Sequence, residues 1–152
     1  MKRKLTLILL ISIVVISCNV KTKMEEKASP LIGTWKLLSG TLIEKGDTTT
    51  TDYTKDLSMI KIINVTHFSF LNHDINKGRD STKVFVAGGG RYKLNGDQYT
   101  EFLEYCSDRN WEGHEFKFTV KLEGDTLTQT GIEKLEEVGI ERLNMEKYVR
   151  VK

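Results

Sequence analysis

The chain has 152 residues, with 23 Lys and Arg against 21 Asp and Glu and a formal net charge of +2. That length supports one domain with one hydrophobic core. Lys2, Arg3 and Lys4 are crowded at the start; setting these three aside leaves 20 basic residues against 21 acidic ones. So even a balance offers no basic stripe for nucleic acid, and too little charge to hold anionic lipid by electrostatics alone.

The basic start is followed by an apolar run from Leu5 to Ile16, interrupted only by Thr6 and Ser12. A bilayer span needs roughly 20 apolar residues, so this run is short for a transmembrane helix and suits a signal-peptide core. It closes on Val15-Ile16-Ser17-Cys18. A small residue before a cysteine resembles the lipobox of bacterial lipoproteins. The resemblance implies removal of residues 1–17, acylation of Cys18 by chains such as palmitate, and attachment to the cell envelope, with the outer membrane expected. Several acyl chains exceed the two signals that stable anchoring requires. Residues 18–30 then read as the lipidated cysteine and a polar, mixed-charge tether without apolar periodicity.

From Leu31 onward, short β-type runs alternate with turn signals. LIGTWKLLSGTL (31–42) sets Gly33, Trp35 and Leu37 on one face. Residues 44–56 read as a polar loop or a threonine-rich edge strand. MIKIINVTHFSFLNH (59–73) holds two strands or one bent strand around Asn64, with Phe68 and Phe70 sharing a face. TKVFVA (82–87) runs into Gly88, Gly89 and Gly90, and three glycines in a β-context signal a bulge, a bend or close backbone approach. Asn95-Gly96 is a preferred type I′ hairpin pair. It predicts Leu94 opposite Asp97 and Tyr92 opposite Tyr99, with Tyr92, Leu94, Tyr99, Glu101, Leu103 and Tyr105 on one face. HEFKFTVKLE alternates strictly, pointing Phe116, Phe118, Val120 and Leu122 one way. Glu123-Gly124-Asp125 turns the chain into TLTQTG. Residues 132–143 are open between a helix weakened by Gly139 and a hairpin or loop. EKYVRVK closes the chain. The sum is an all-β domain over 31–152, a single antiparallel up-and-down barrel of about 8–10 strands.

Gly33-Thr34-Trp35 resembles the G-x-W signature of lipocalins and their calycin relatives. LIGTWKL, KIINVTHFSF, GGGRYKLNGDQYTE, GDTLTQTG and the terminal YVRV together resemble a group of lipocalin-like lipoproteins from Gram-negative bacteria. The likeness covers 31–152. It implies a structural role for Gly33, Trp35 and Arg150: the tryptophan plugs the closed barrel end and the arginine packs across its indole, a cation–π arrangement. The other two short signatures of extracellular lipocalins are not recognisable, which makes this chain an outlier.

The hairpin register makes Glu101 a carboxylate inside a barrel, where it needs a hydrogen bond or an ion pair. Tyrosine hydroxyls such as Tyr92, or Arg91 in another register, are the candidate partners. Glu101 is then either part of a structural polar network or a group that orients a ligand in the lumen. Phe68, Phe70, Tyr92, Tyr99, Tyr105, Phe116 and Phe118 are candidate lining residues, in a lumen either open to a ligand or filled by side chains. Trp111, in SDRNWEGH, is expected in a loop at the mouth. His67, His73 and His114 have no metal-ligand spacing, and no cofactor is expected. Cys106, unpaired if Cys18 is acylated, is expected to behave as a small buried hydrophobe, with a Cys106–His114 nucleophilic pair as the formal alternative. The leading expectation is a membrane-anchored, non-enzymatic barrel that binds a small apolar or amphipathic ligand. The alternatives are a filled barrel acting as a protein-interaction module and, more remotely, an enzyme using Glu101 or Cys106.

Overall fold

A computed structural model describes residues 29–81 and 83–152. The leader-like stretch 1–17, Cys18 and the tether as far as residue 28 lie outside the described residues. Nine strands follow one another: β1 (Gly33–Glu44), β2 (Asp47–Asp52), β3 (Leu57–Ile63), β4 (His67–Asp74), β5 (Phe85–Asn95), β6 (Gln98–Cys106), β7 (His114–Glu123), β8 (Thr126–Leu135) and β9 (Ile140–Arg150). β3 to β9 pair antiparallel in chain order, and β1 pairs with both β3 and β9. That closes an eight-stranded up-and-down barrel, with β2 as the one additional strand.

Closure is uneven around β1. Its first residues, Gly33 to Lys36, pair with β3. Beyond them the same edge is taken by β2, which pairs with Ser39 to Glu44. The 44–56 segment is thus an edge strand, and its exposed Thr48, Thr49 and Thr50 suit an unpaired rim. β3 and β4 are separate strands. Asn64 Oδ1 accepts from the backbone N–H of Thr66 and His67, an Asx-type turn that reverses the chain. The 132–143 segment is a hairpin: a short 3-10 turn at Glu136–Val138 ends on Gly139 at φ 69°, and β8 and β9 flank it.

Two expected details of register are corrected. In the β5–β6 hairpin Leu94 faces Tyr99 and Tyr92 faces Glu101, because Asn95 stays in the strand and pairs with Gln98. Only Gly96, at φ 62°, enters the left-handed region at this turn. The slip is of two residues along the partner strand, so each side chain keeps its face. The second correction concerns Tyr105. Pairing jumps from Gly90–Leu103 to Gly89–Tyr105, so Glu104 is an extra residue in a β-bulge. The bulge inverts the alternation beyond it: Cys106 turns inward and is buried, while Tyr105 lies on the outer wall at 69 % exposure.

The glycine run makes that bulge sterically feasible. A Cβ on Gly90 would stand 1.9 Å from the Phe102 carbonyl oxygen, and one on Gly88 would stand 2.6 Å from the Phe70 ring. The closed end is sealed by Trp35, Leu31, Leu127 and Tyr148, all nearly or wholly buried. There Trp35 Nε1 donates to the Leu31 carbonyl at 2.8 Å. Arg150 lies 4.0 Å from the Trp35 ring and donates to the carbonyls of Ile32 and Pro30 at 2.8 and 2.7 Å. Gly33 leaves room for that guanidinium, since a Cβ there would fall 2.5 Å from Arg150 Nη1.

Candidate functional site

Above the plug the barrel holds a cavity of about 350 Å³. Its walls differ in chemistry because the inward phase of each strand differs in sequence. β3 to β7 supply an apolar wall of Met59, Phe70, Val86, Leu103, Phe116 and Phe118. β8 and β9 supply a polar one of Gln129, Glu133, Arg142, Asn144 and Glu146. Gly40, Leu42, Thr51 and Tyr53 line the side where β1 leaves β3 for β2. Trp111 lines the open end, held in the 3-10 turn Arg109–Trp111 that Asp108 caps. Its indole stacks near Phe116, with centroids 5.5 Å apart, and carries the Arg142 guanidinium at 4.9 Å.

The floor is a charged cluster seated on aromatic rings. Lys61, 2 % exposed, points inward opposite Trp35 and Phe70. Its ammonium donates to Glu101 Oε1 at 2.8 Å and Gln129 Oε1 at 3.0 Å, with Glu146 Oε2 at 3.8 Å. The rings of Tyr148, Phe68 and Tyr99 lie 5.3, 5.8 and 6.0 Å from it. Burial disfavours the Lys61 charge, but Glu101 and Glu146 more than offset this and hold its proton above the ordinary lysine range. Burial likewise pushes the Glu101 carboxyl up, with Lys61 pulling it back. Tyr148 donates to Glu146 Oε2 at 2.7 Å, and burial raises its phenol well above the usual value. The Tyr99 hydroxyl is buried beside Glu101 without a well-formed hydrogen bond.

A second pair stands nearer the mouth. Glu133 accepts from Arg142 Nε at 2.8 Å and from Asn144 Nδ2 at 2.7 Å. These contacts fix the polar wall, since a buried carboxylate is tolerated only when its oxygens are occupied. Asn72 Oδ1 is the exception among the cavity-lining groups: it is buried and has no hydrogen-bond partner.

Of the expected lining residues, Phe70, Glu101, Phe116 and Phe118 border the cavity. Phe68 and Tyr99 are buried in the plug beneath it. Tyr92 is half-buried and donates to the Asn64 carbonyl near the closed end, so it is not the partner of Glu101. Arg91 is not the partner either, because it pairs with Glu104 on the outside. Tyr105 is outside the lumen. His114 engages the Glu112 carbonyl and Glu137 through its two ring nitrogens, and it pairs across the sheet with Leu103. Cys106 borders the cavity, and burial raises its thiol pKa, which disfavours the thiolate that a nucleophile needs. Among the described residues no group of three His, Cys, Asp or Glu side chains is placed to hold a metal ion.

Sequence reasoning missed Lys61, Gln129, Glu133, Arg142, Asn144 and Glu146. Lys61 had a usable signal, because Met59, Lys61 and Ile63 share a strand phase and two of the three are apolar. The β8–β9 residues had a weaker one, the phase set by Leu127 and Leu135 on one strand and Tyr148 on the other.

A closed antiparallel barrel, plugged at one end by a tryptophan under an arginine and open over a lined cavity at the other, is the class that this fold defines. Such a barrel is consistent with a lipocalin-like fold. No protein-family model matches the chain, and no curated protein is similar to it in sequence.

Proposed function

We propose that this protein is a non-enzymatic, membrane-anchored carrier or receptor that holds a small amphipathic molecule in the barrel lumen. The observation that carries this reading is the 350 Å³ cavity with one apolar and one polar wall. Its volume falls within the range of small-molecule sites, about 300–1,000 Å³. An apolar wall takes up hydrocarbon, and a few fixed polar groups set its orientation. The unfilled lumen weighs against a barrel that serves only as an interaction module.

The anchor belongs to the same proposal. Pro30 is clamped by Arg150 at the closed end, whereas Trp111 lies at the opposite, open end. The described chain enters the barrel at the plugged end, so a lipid on Cys18 would tether the protein from that end. Native mass spectrometry of residues 19–152 purified from the protein's own host tests the carrier reading. A retained small molecule of constant mass is expected, and repeated recovery of the apo mass alone counts against it. Metabolic labelling with a clickable palmitate analogue tests the anchor, with loss of label expected in Cys18→Ser.

A further inference from the structure

The charges on the cavity wall do not balance. Lys61 and Arg142 are the cations among the described lining residues; Glu101, Glu133 and Glu146 are the carboxylates inside, and Asp108 adds a fourth at the exposed mouth. The interior pairs sort themselves by distance. Lys61 is closest to Glu101 at 2.8 Å, and Arg142 to Glu133 at 2.8 Å. Glu146 is left over. It accepts one hydrogen bond from Tyr148 and stands 3.8 Å from an ammonium whose shorter contacts go to other acceptors.

Among the described residues, hydrogen bonds within the wall give Glu146 no donor besides Tyr148. Lys61, Arg142 Nε, Asn144 Nδ2 and the Tyr148 hydroxyl all donate to groups of the wall itself. Charges and dipoles in an enclosed site act through a low effective dielectric, so one unmatched carboxylate counts for more there than on a surface. An anionic head group would add to the excess negative charge, and a neutral one would leave it uncompensated.

We infer that the lumen selects an amphiphile whose head group is a hydrogen-bond-donating cation, such as a primary ammonium, seated against Glu146 with its hydrocarbon along Phe70, Leu103 and Phe116. This rests on the lumen-binding reading above and adds the class of ligand. Octylammonium, octanol and octanoate share one chain and differ only at the head, so they separate the two ideas. The full chain in neutral phosphatidylcholine vesicles, at pH 7 and with free probe concentration measured, reports through Trp111. The other tryptophan, Trp35, is sealed in the plug and provides a constant background.

Octylammonium is expected to bind at least about tenfold more tightly than octanol, with octanoate weakest. Glu146→Gln should bring octylammonium to within about threefold of octanol. The wild-type ranking does not depend on how well that variant folds. Equal binding of all three, or a preference for octanoate, overturns the head-group inference while lumen binding stands. An undiminished cation preference in folded Glu146→Gln overturns the assignment to Glu146. No Trp111 response to any probe removes the lumen reading and this inference with it.

Discussion

Lys61 and Glu101 show how one residue pair can be costly and indispensable together. Their side chains are 3 % and 9 % exposed, so both charges have lost nearly all their water. Attraction between them, with Gln129 and Glu146 as further partners, offsets that loss without turning it into a large surplus. Removing one member strands the other. Lys61→Met and Glu101→Met are each expected to cost about 3–5 kcal/mol in urea unfolding, whereas the double variant should recover most of that loss. Additive costs in the double-mutant cycle would mean that the two side chains are not coupled. Glu101 was legible from the hairpin pattern because the apolar residues around it declared its face. Its partner was not, because Lys61 and Glu101 are 40 residues apart and local alternation says nothing of which strands meet across a lumen.

At the scale of the elements, the β5–β6 bulge decides which side chains the cavity receives. A strict period of two from Tyr99 carries Tyr105 inward, and the extra residue Glu104 reverses that. The glycine run announced an irregularity, but not which strand would hold the extra residue. Gly90→Ala is expected to cost at least about 3 kcal/mol in thermal or urea unfolding, since its Cβ would press on the Phe102 carbonyl with no flexible side chain to yield. Gly96→Ala meets open space and pays only for its left-handed φ, about 1–2 kcal/mol. Similar losses at both positions would remove the close-approach argument. The polar β8–β9 wall was hard to read for a related reason: both phases carry polar residues. Thr and Lys stand against Gln and Glu on β8, and Glu and Lys against Arg, Asn and Glu on β9, so apolar alternation is a weak guide to which face is inside. The β4–β5 connection has its own charge-dependent tie. Asp74 accepts from the backbone N–H of Gly78 and Val84 at 2.8 and 2.9 Å, and these bonds hold its carboxyl below the ordinary value of 3.8. A lowered carboxyl stabilises the fold above that ordinary value, and the contribution fades as pH falls through the depressed one. Protection factors of the Gly78 and Val84 amides, corrected for intrinsic exchange, should therefore fall selectively below about pH 3.8. Asp74→Asn should blunt that acid response, and an unchanged response would sink the assignment.

For the molecule as a whole, the first and last strands carry the closure. β1 pairs with β9 over most of its length, and the Arg150 clamp on Ile32 spans 118 residues of sequence. Bringing such distant segments together costs loop entropy before any contact compensates for it, so this seam should form late in folding. Arg150 is its most loaded side chain: it covers Trp35, fills the space beside Gly33 and satisfies two carbonyls. Arg150→Ala is expected to cost about 2–3 kcal/mol, through lost charge-assisted hydrogen bonds and the uncovered indole. Lysine should rescue little, because an ammonium cannot span both carbonyls and lie flat on the ring. If closure comes after the folding barrier, nearly all of the loss must appear as faster unfolding, with the refolding arm of the chevron almost unmoved. A refolding arm slowed by the full amount would instead place the β1–β9 seam in the folding nucleus.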